Sequence, residues 1–270
     1  MYTTHFVENG EIQTAYHDLG SGAPLLFVHG FTGSKLDFAN QLAWFVETHR
    51  TLAYDHRGHG ESSNLGPYDL QTLVDDLIRL LDALEIPTCH VLGHSLGGMV
   101  VMRAVLARPE RFRSVILMDT APYALNLFDE GVRRNLNRMV TDAGCAALLD
   151  GMQNQPQRAV VQRGIDFLGE QEHWRRIRVK LEQMDPQAFV GLGRELSANA
   201  SVLQDLERIG VPTTIIVGAE DEPFLKPAQD MQKHIRDSTL AIIRNAAHSP
   251  QYENADVWRD QVLAHLTRAD

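Results

Sequence analysis

The chain of 270 residues is 44% hydrophobic and 22% charged, proportions that suit a globular protein with a sizeable core and exclude a disordered one. Its formal net charge of −10 argues against nucleic acid as a partner, because phosphates demand a basic face. No stretch approaches the roughly 18 apolar residues of a membrane span, and the opening MYTTHFVENG has neither the basic end nor the apolar core of an export signal. The expectation is a cytoplasmic protein whose two cysteines, Cys89 and Cys145, are buried thiols rather than a disulfide.

In chain order, residues 4–8 and 11–18 form a predicted hairpin, since Asn9-Gly10 favours a tight turn. Continuous apolar runs follow: PLLFVHG (24–30), TLAYDHRG (51–58), CHVLGHS (89–95), SVILMDT (114–120), PTTIIVG (212–218) and TLAIIRN (239–245). Runs without polar alternation are expected of strands covered on both faces. Helical periodicity fills the intervals at 36–48, 70–85, 96–108 and 226–235. Strand alternating with helix predicts an α/β protein with a mostly parallel, doubly wound sheet of about eight strands.

The alternation stops near Ala121 and resumes near Val211. The gap is helical in pattern, and residues 121–200 hold ten basic and ten acidic side chains, so the whole negative excess lies outside them. A helical insertion at 122–205, dividing a core made of 1–121 and 206–270, is the simplest account.

Gly93-His94-Ser95-Leu96-Gly97 fits G-x-S-x-G, the strand-to-helix elbow that lifts a serine hydroxyl above the edge of a parallel sheet. Small neighbours are needed because the serine sits in a strained conformation and the helix passes close to the strand. A serine nucleophile needs a base, and the base an orienting acid. Of twelve histidines, His248 follows the last strand run, where its ring can return over the sheet edge. His56 and His59 lie in the glycine-rich turn DHRGHG, a structural loop rather than a metal site with Asp55, and His94 is expected to point away from the site. Asp221 follows the seventh strand, so the chain order is nucleophile, acid, base. Asp119, at the end of the sixth strand, is the competing acid, although Thr120-Ala121-Pro122 after it looks like the exit into the insertion.

The segments HGFTGS (29–34), DHRGHGES (55–62), GHSLGG (93–98), GAEDEP (218–223) and AAHSPQ (246–251), in this order, resemble the α/β-hydrolase superfamily over essentially the whole chain. The match is to its serine-nucleophile branch with a helical cap, the carboxylesterase and lactonase type. The resemblance implies Ser95 as nucleophile, His248 as base and Asp221 as orienter, with the backbone N–H groups of Phe31 and Leu96 as the oxyanion hole. It also makes the helical insertion the cap, whose candidate pocket residues are Tyr123, Leu125, Phe128, Leu168 and Trp174, with Phe31 on the core side. A first helical residue has an unpaired amide at the positive end of the helix dipole, so Leu96 suits that role on physical grounds.

The implied activity is hydrolysis of carboxylic esters of small, largely apolar substrates through an acyl-enzyme, with no metal or cofactor. Lactonases, carbon–carbon bond hydrolases, perhydrolases or haloperoxidases and a menaquinone-pathway lyase share the triad, and receptors on the same fold form a rival of another class. The cap arginines Arg133, Arg134, Arg138, Arg175, Arg176 and Arg178 suit either an anionic substrate or a solvated face paired with Glu130, Glu170, Glu172 and Glu182. Oligomeric state stays open.

Overall fold

Eight strands make one sheet in the order β1-β2-β4-β3-β5-β6-β7-β8 in the computed structural model, which describes residues 2–127, 129–154 and 159–270. β1 (His5–Asn9) and β2 (Ile12–Leu19) pair antiparallel across the Asn9-Gly10 turn, and β2 meets β4 (His49–Tyr54) antiparallel. The remaining strands, β3 (Ala23–Val28), β5 (Cys89–His94), β6 (Phe112–Met118), β7 (Thr213–Gly218) and β8 (Ser238–Ile243), are parallel to β4 and to each other. All their carboxyl ends therefore open on one edge, the place where such sheets hold ligands.

The central strands β3, β5, β6 and β7 are largely apolar because both faces are covered, whereas β1 and β8 at the sheet edges are partly exposed. In β3, Leu26 and Val28 enter one core with Leu73 and Leu77 of α1 (Leu70–Ala83) and Val100 and Val101 of α2 (Leu96–Ala107). Leu25 and Phe27 point the other way, into a second core with Phe38, Phe45 and Trp258.

Between β6 and β7 the described residues contain no strand but five helices: α3 (Glu130–Ala143), α4 (Leu148–Gln153), α5 (Ala159–Leu168), α6 (Glu170–Glu182) and α7 (Pro186–Ala198). After β7 come α8 (Glu222–His234), then β8, α9 (Pro250–Glu253) and α10 (Ala255–Ala269). No helix among the described residues is long and apolar enough to cross a membrane. Both thiols are buried, which pushes Cys89 up to about 12 and Cys145 up to about 11.

The helix expected over 36–48 is instead two short 3-10 turns, Lys35–Phe38 and Leu42–Trp44. Asp37, Ala39, Gln41, Trp44 and Phe45 all donate to the carbonyl three residues back, not four. Ser34 and Asp37 cap each other's backbone at the start, while the Gln41 side chain donates to the Gln251 carbonyl at 2.8 Å. The apolar spacing of Phe38, Leu42 and Phe45 was legible, but these side-chain commitments override a regular helix.

Candidate active site

Ser95 stands between β5 and α2 with φ 53° and ψ −117°, a backbone that residues with side chains rarely adopt. Two glycines make the bend possible by close approach. A Cβ on Gly93 would sit 2.6 Å from the Gly97 carbonyl oxygen, and one on Gly97 would collide with the Val28 carbonyl oxygen of β3. The strained residue is held from both sides: its N–H donates to the Met118 carbonyl at 2.9 Å and its own carbonyl accepts from Thr120 Oγ1 at 2.6 Å.

His248 lies in the loop after β8, and its ring bridges two strands' ends. Its Nε2 is 3.0 Å from Ser95 Oγ and its Nδ1 is 2.7 Å from Asp221 Oδ2. The Phe224 ring packs against the imidazole with centroids 4.7 Å apart. His94 does not point away. Its Nε2–H donates to the His248 carbonyl at 2.7 Å, so it anchors the loop that carries the base, and burial lowers its pKa to about 3. The motif position "x" carries no directional signal, which is why sequence misplaced it.

Asp119 is fully buried beside this set, with a carboxylate oxygen within 4.8 Å of an Asp221 carboxylate oxygen and a His248 ring nitrogen. Its Oδ1 accepts from the Gly218 N–H at 2.9 Å, and burial, then the charge of Asp221, pushes its pKa well above the carboxylate range. Of the two rival acids, Asp221 is the one on the imidazole. Leu96 is the first residue of α2, so its amide lies outside the intrahelical ladder, and Phe31 sits in the loop after β3 next to Gly30, whose α-carbon faces Ser95 closely enough that a Cβ would be 3.0 Å from the serine Cβ.

In front of Ser95 opens a cavity of about 340 Å³. Val161, Gly164 and Leu168 of α5 and His173, Arg176, Ile177 and Lys180 of α6 line it, each set recurring at the three-to-four residue spacing of one helix face. Phe31, Asp37, Glu253 and Tyr252 complete it from the core. Its cations have acidic partners: Lys180 Nζ donates to Asp37 at 2.6 Å, and Arg176 Nε donates to Glu172 at 2.7 Å.

The model of the alpha/beta hydrolase fold family matches residues 23–255. The chain belongs to that family. It is 29% identical to the 3-oxoadipate enol-lactonase 2 of Acinetobacter baylyi over 91% of this chain and 89% of the relative. It is also 26% identical to a putative 2-succinyl-6-hydroxy-2,4-cyclohexadiene-1-carboxylate synthase of Bacillus subtilis, over 99% of each. Among solved structures, the bromoperoxidase of Bacillus anthracis superposes with a TM-score of 0.85 at 24% identity, covering 98% of this chain and all of that one, a likeness of fold.

Within this α/β hydrolase, the structure brings Ser95, Asp221 and His248 into one hydrogen-bonded line, with Phe31 and Leu96 flanking the serine. The expected pocket residues divide. Phe31 and Leu168 border the cavity, whereas Leu125 lies beyond Phe31 in a small adjoining hollow with Phe189. Tyr123 is turned to α8, where its hydroxyl donates to Asp230 at 3.0 Å, and Trp174 packs on the main core with its ring edge-on to His173. Phe128 lies outside the described residues. Apolar character selected Trp174, but helix phase puts its neighbours His173, Arg176, Ile177 and Lys180 on the cavity side, so the lining is more polar than expected. The periodicity of α6 was the signal that could have found them.

Most of the arginines named as candidates have acidic partners on their own helix, and Arg133 donates instead to Ser197. Arg134 pairs with Glu130 at 2.9 Å, Arg175 and Arg176 share Glu172, and Arg178 faces Glu182 at 3.8 Å. The DHRGHG turn is a closed structural loop: His56 N–H donates to His29 Nε2 at 3.0 Å, and Asp55 accepts from Lys35 Nζ at 2.6 Å. Burial leaves His56 at about 3 and His59 at about 4, neutral imidazoles locked in the core.

Proposed function

We propose that this α/β hydrolase is a serine hydrolase that cleaves carboxylic esters of small substrates by acyl transfer. The observation that carries the reading is the Ser95–His248–Asp221 line at the end of a strained strand-to-helix elbow. Ser95 Oγ attacks the acyl carbon as its proton passes to His248 Nε2, while Asp221 holds the other nitrogen's proton and steadies the imidazolium. The amides of Phe31 and Leu96 receive the oxyanion, each donor of this kind being worth on the order of 10²–10³ in rate. His248 then hands its proton to the departing alcohol. A water molecule, deprotonated by the same nitrogen, attacks the acyl-serine and releases the acid, and the proton returns to Ser95. Each bond broken is matched by one formed, and the cycle uses no cofactor.

In this reading the helices between β6 and β7, about residues 122–205, are the cap that selects the substrate. A lactone, which is a cyclic ester, is the second reading. Its support is the enol-lactonase among the full-length relatives, together with a cavity of mixed polarity that suits a compact polar ring. The experiment is a panel of p-nitrophenyl esters, lactones and a ring-fission diketone, with Ser95→Ala as control. Turnover of esters or lactones that disappears in the variant supports the reading. One equivalent of product with no further turnover points to a receptor, and cleavage confined to the diketone points to carbon–carbon hydrolysis.

A further inference from the structure

At the opposite end of the sheet from Ser95, three donor atoms converge that the proposed reaction does not use. His49 opens β4, His90 is the second residue of β5, and Asp270 follows α10. His49 Nε2 is 3.5 Å from Asp270 Oδ2, His90 Nε2 is 3.2 Å from Asp270 Oδ1, and all the donor atoms lie within 4.8 Å of one another. Both rings are buried, and neither Nε2 makes a well-aligned hydrogen bond among the described residues, Asp270 being the polar group each faces. Two orphaned nitrogens aimed at one carboxylate are unusual, because buried polar atoms are nearly always satisfied.

The other nitrogen of each ring is already committed. Thr48 Oγ1 lies 2.8 Å from His49 Nδ1 and also 3.4 Å from the Phe45 carbonyl, which can only accept. With the hydroxyl proton on that carbonyl, His49 Nδ1–H donates to the hydroxyl oxygen and Nε2 keeps a lone pair; the reverse order, with the hydroxyl donating to Nδ1, puts the proton on Nε2. Ser114 Oγ stands 2.8 Å from His90 Nδ1 and 2.7 Å from His265 Nε2, and His265 Nδ1 is 2.8 Å from Thr214 Oγ1. One proton order satisfies that chain throughout: His90 Nδ1–H donates to Ser114, Ser114 to His265, and His265 Nδ1–H to Thr214. It too leaves a lone pair on Nε2.

The geometry points to a divalent transition-metal site of zinc type, with His49 Nε2, His90 Nε2 and the Asp270 carboxylate as ligands. In a tetrahedral site with bonds of about 2.0–2.1 Å, donors lie about 3.3 Å apart; each histidine is near that spacing from one Asp270 oxygen, and the three donors, within 4.8 Å, need only a small closure to share an ion. Two imidazoles and a carboxylate suit zinc, cobalt or nickel rather than magnesium or calcium. The fixed Nδ1 partners are what ligating histidines require of their surroundings. The nearby Arg113 charge opposes a dication, and the Asp270 carboxylate offsets it. Asp270 is half exposed, so the metal has an entry path and open positions for water.

His90 lies near the start of β5 and Ser95 just past its end, five residues on, roughly 16 Å at the rise of a parallel strand. The site thus sits apart from the chemistry, and its effect is to clamp the end of α10 to the starts of β4 and β5. The competing arrangement reverses the Ser114 proton order, so that His90 Nε2–H donates to Asp270 as a plain ion pair with no metal.

The test uses the whole chain, stripped with EDTA and titrated with Zn²⁺ by calorimetry and with Co²⁺ by visible absorption. The expected result is one Zn²⁺ per chain, a tetrahedral Co²⁺ spectrum, and a Tm raised by on the order of 5–10 °C at about 100-fold excess over Kd. Asp270→Asn, an exposed change, and His90→Gln should each weaken binding at least about 10-fold while covalent labelling of Ser95 by a fluorophosphonate is unaffected. No saturable binding, or binding equal in wild type and Asp270→Asn, overturns the proposal. If His90→Gln does not fold, Asp270→Asn decides alone.

Discussion

The carboxyl edge of the sheet and the helical region between β6 and β7 both face Ser95, yet they are built on different terms. At the sheet edge the groups around the candidate site are tied to neighbouring strands and loops: Ser95 by the Met118 carbonyl and the Thr120 hydroxyl, Asp119 by the Gly218 N–H, the His248 loop by the His94 ring. The helical region carries charges in same-helix pairs such as Glu130–Arg134 and Arg178–Glu182, which are open to water. Such pairs each contribute a few tenths of a kcal/mol, so this surface can change without unfolding the protein. In the proposed function, geometry that must hold to a fraction of an ångström sits in the sheet layer, and the part proposed to meet the substrate sits on helices whose exposed charges tolerate replacement.

The contrast can be broken most severely with acid. His17, His56, His59 and His94 all belong to the sheet or its loops, and burial places them at about 4, 3, 4 and 3, against about 6.5 when unfolded. The folded state stays neutral at pH values where the unfolded chain takes up protons, so stability is complete above about pH 6.5 and is lost progressively as pH falls towards 4. With up to four protons involved, the whole stability of about 5–15 kcal/mol is at stake. Circular dichroism across pH should show a cooperative loss in that window; a fold unchanged to pH 3.5 would mean these rings are not held neutral.

Next comes the contest between two acids of the sheet layer. Asp221→Asn should lower kcat by on the order of 10⁴, because the imidazole is then held in the wrong tautomer. Asp119→Asn should cost at most about 10-fold, or roughly 1.4 kcal/mol, since an amide has the shape of the protonated acid that burial favours there. Steady-state kinetics on folded variants decide, and the reverse ranking would move the orienting role to Asp119.

Smaller in energy is Gly97→Ala, whose Cβ would drive into the backbone of β3 and destabilise the fold by on the order of 3 kcal/mol, measured by the denaturant midpoint. In the helical region, Leu168→Ala should leave stability within about 1 kcal/mol and change KM by up to about 10-fold, and Arg134→Ala should change neither by more than about 0.5 kcal/mol. Equal losses in both regions would erase the distinction.

How far the sequence reached follows the same division. The elbow, the parallel sheet and the Ser95, Asp221, His248 order were legible because glycines at a close approach and apolar runs covered on both faces leave few alternatives. Hidden were features set by long-range partners. Residues 36–48 lose their helix to Ser34, Asp37 and a contact with Gln251. His94 acts through a carbonyl 154 residues away, and the cavity face of α6 depends on how that helix is rolled. Charge pattern named Arg176 without revealing that it meets the cavity while Trp174 does not.

The central claim, that Ser95 is an activated nucleophile, is tested most directly by reacting the protein with a fluorophosphonate and locating the adduct by peptide mass spectrometry. The account predicts one phosphonyl group per chain, on the peptide containing Gly93-His94-Ser95-Leu96-Gly97, and none in Ser95→Ala. Labelling that survives in the variant, or wild-type protein that remains unlabelled while fully folded, would contradict it.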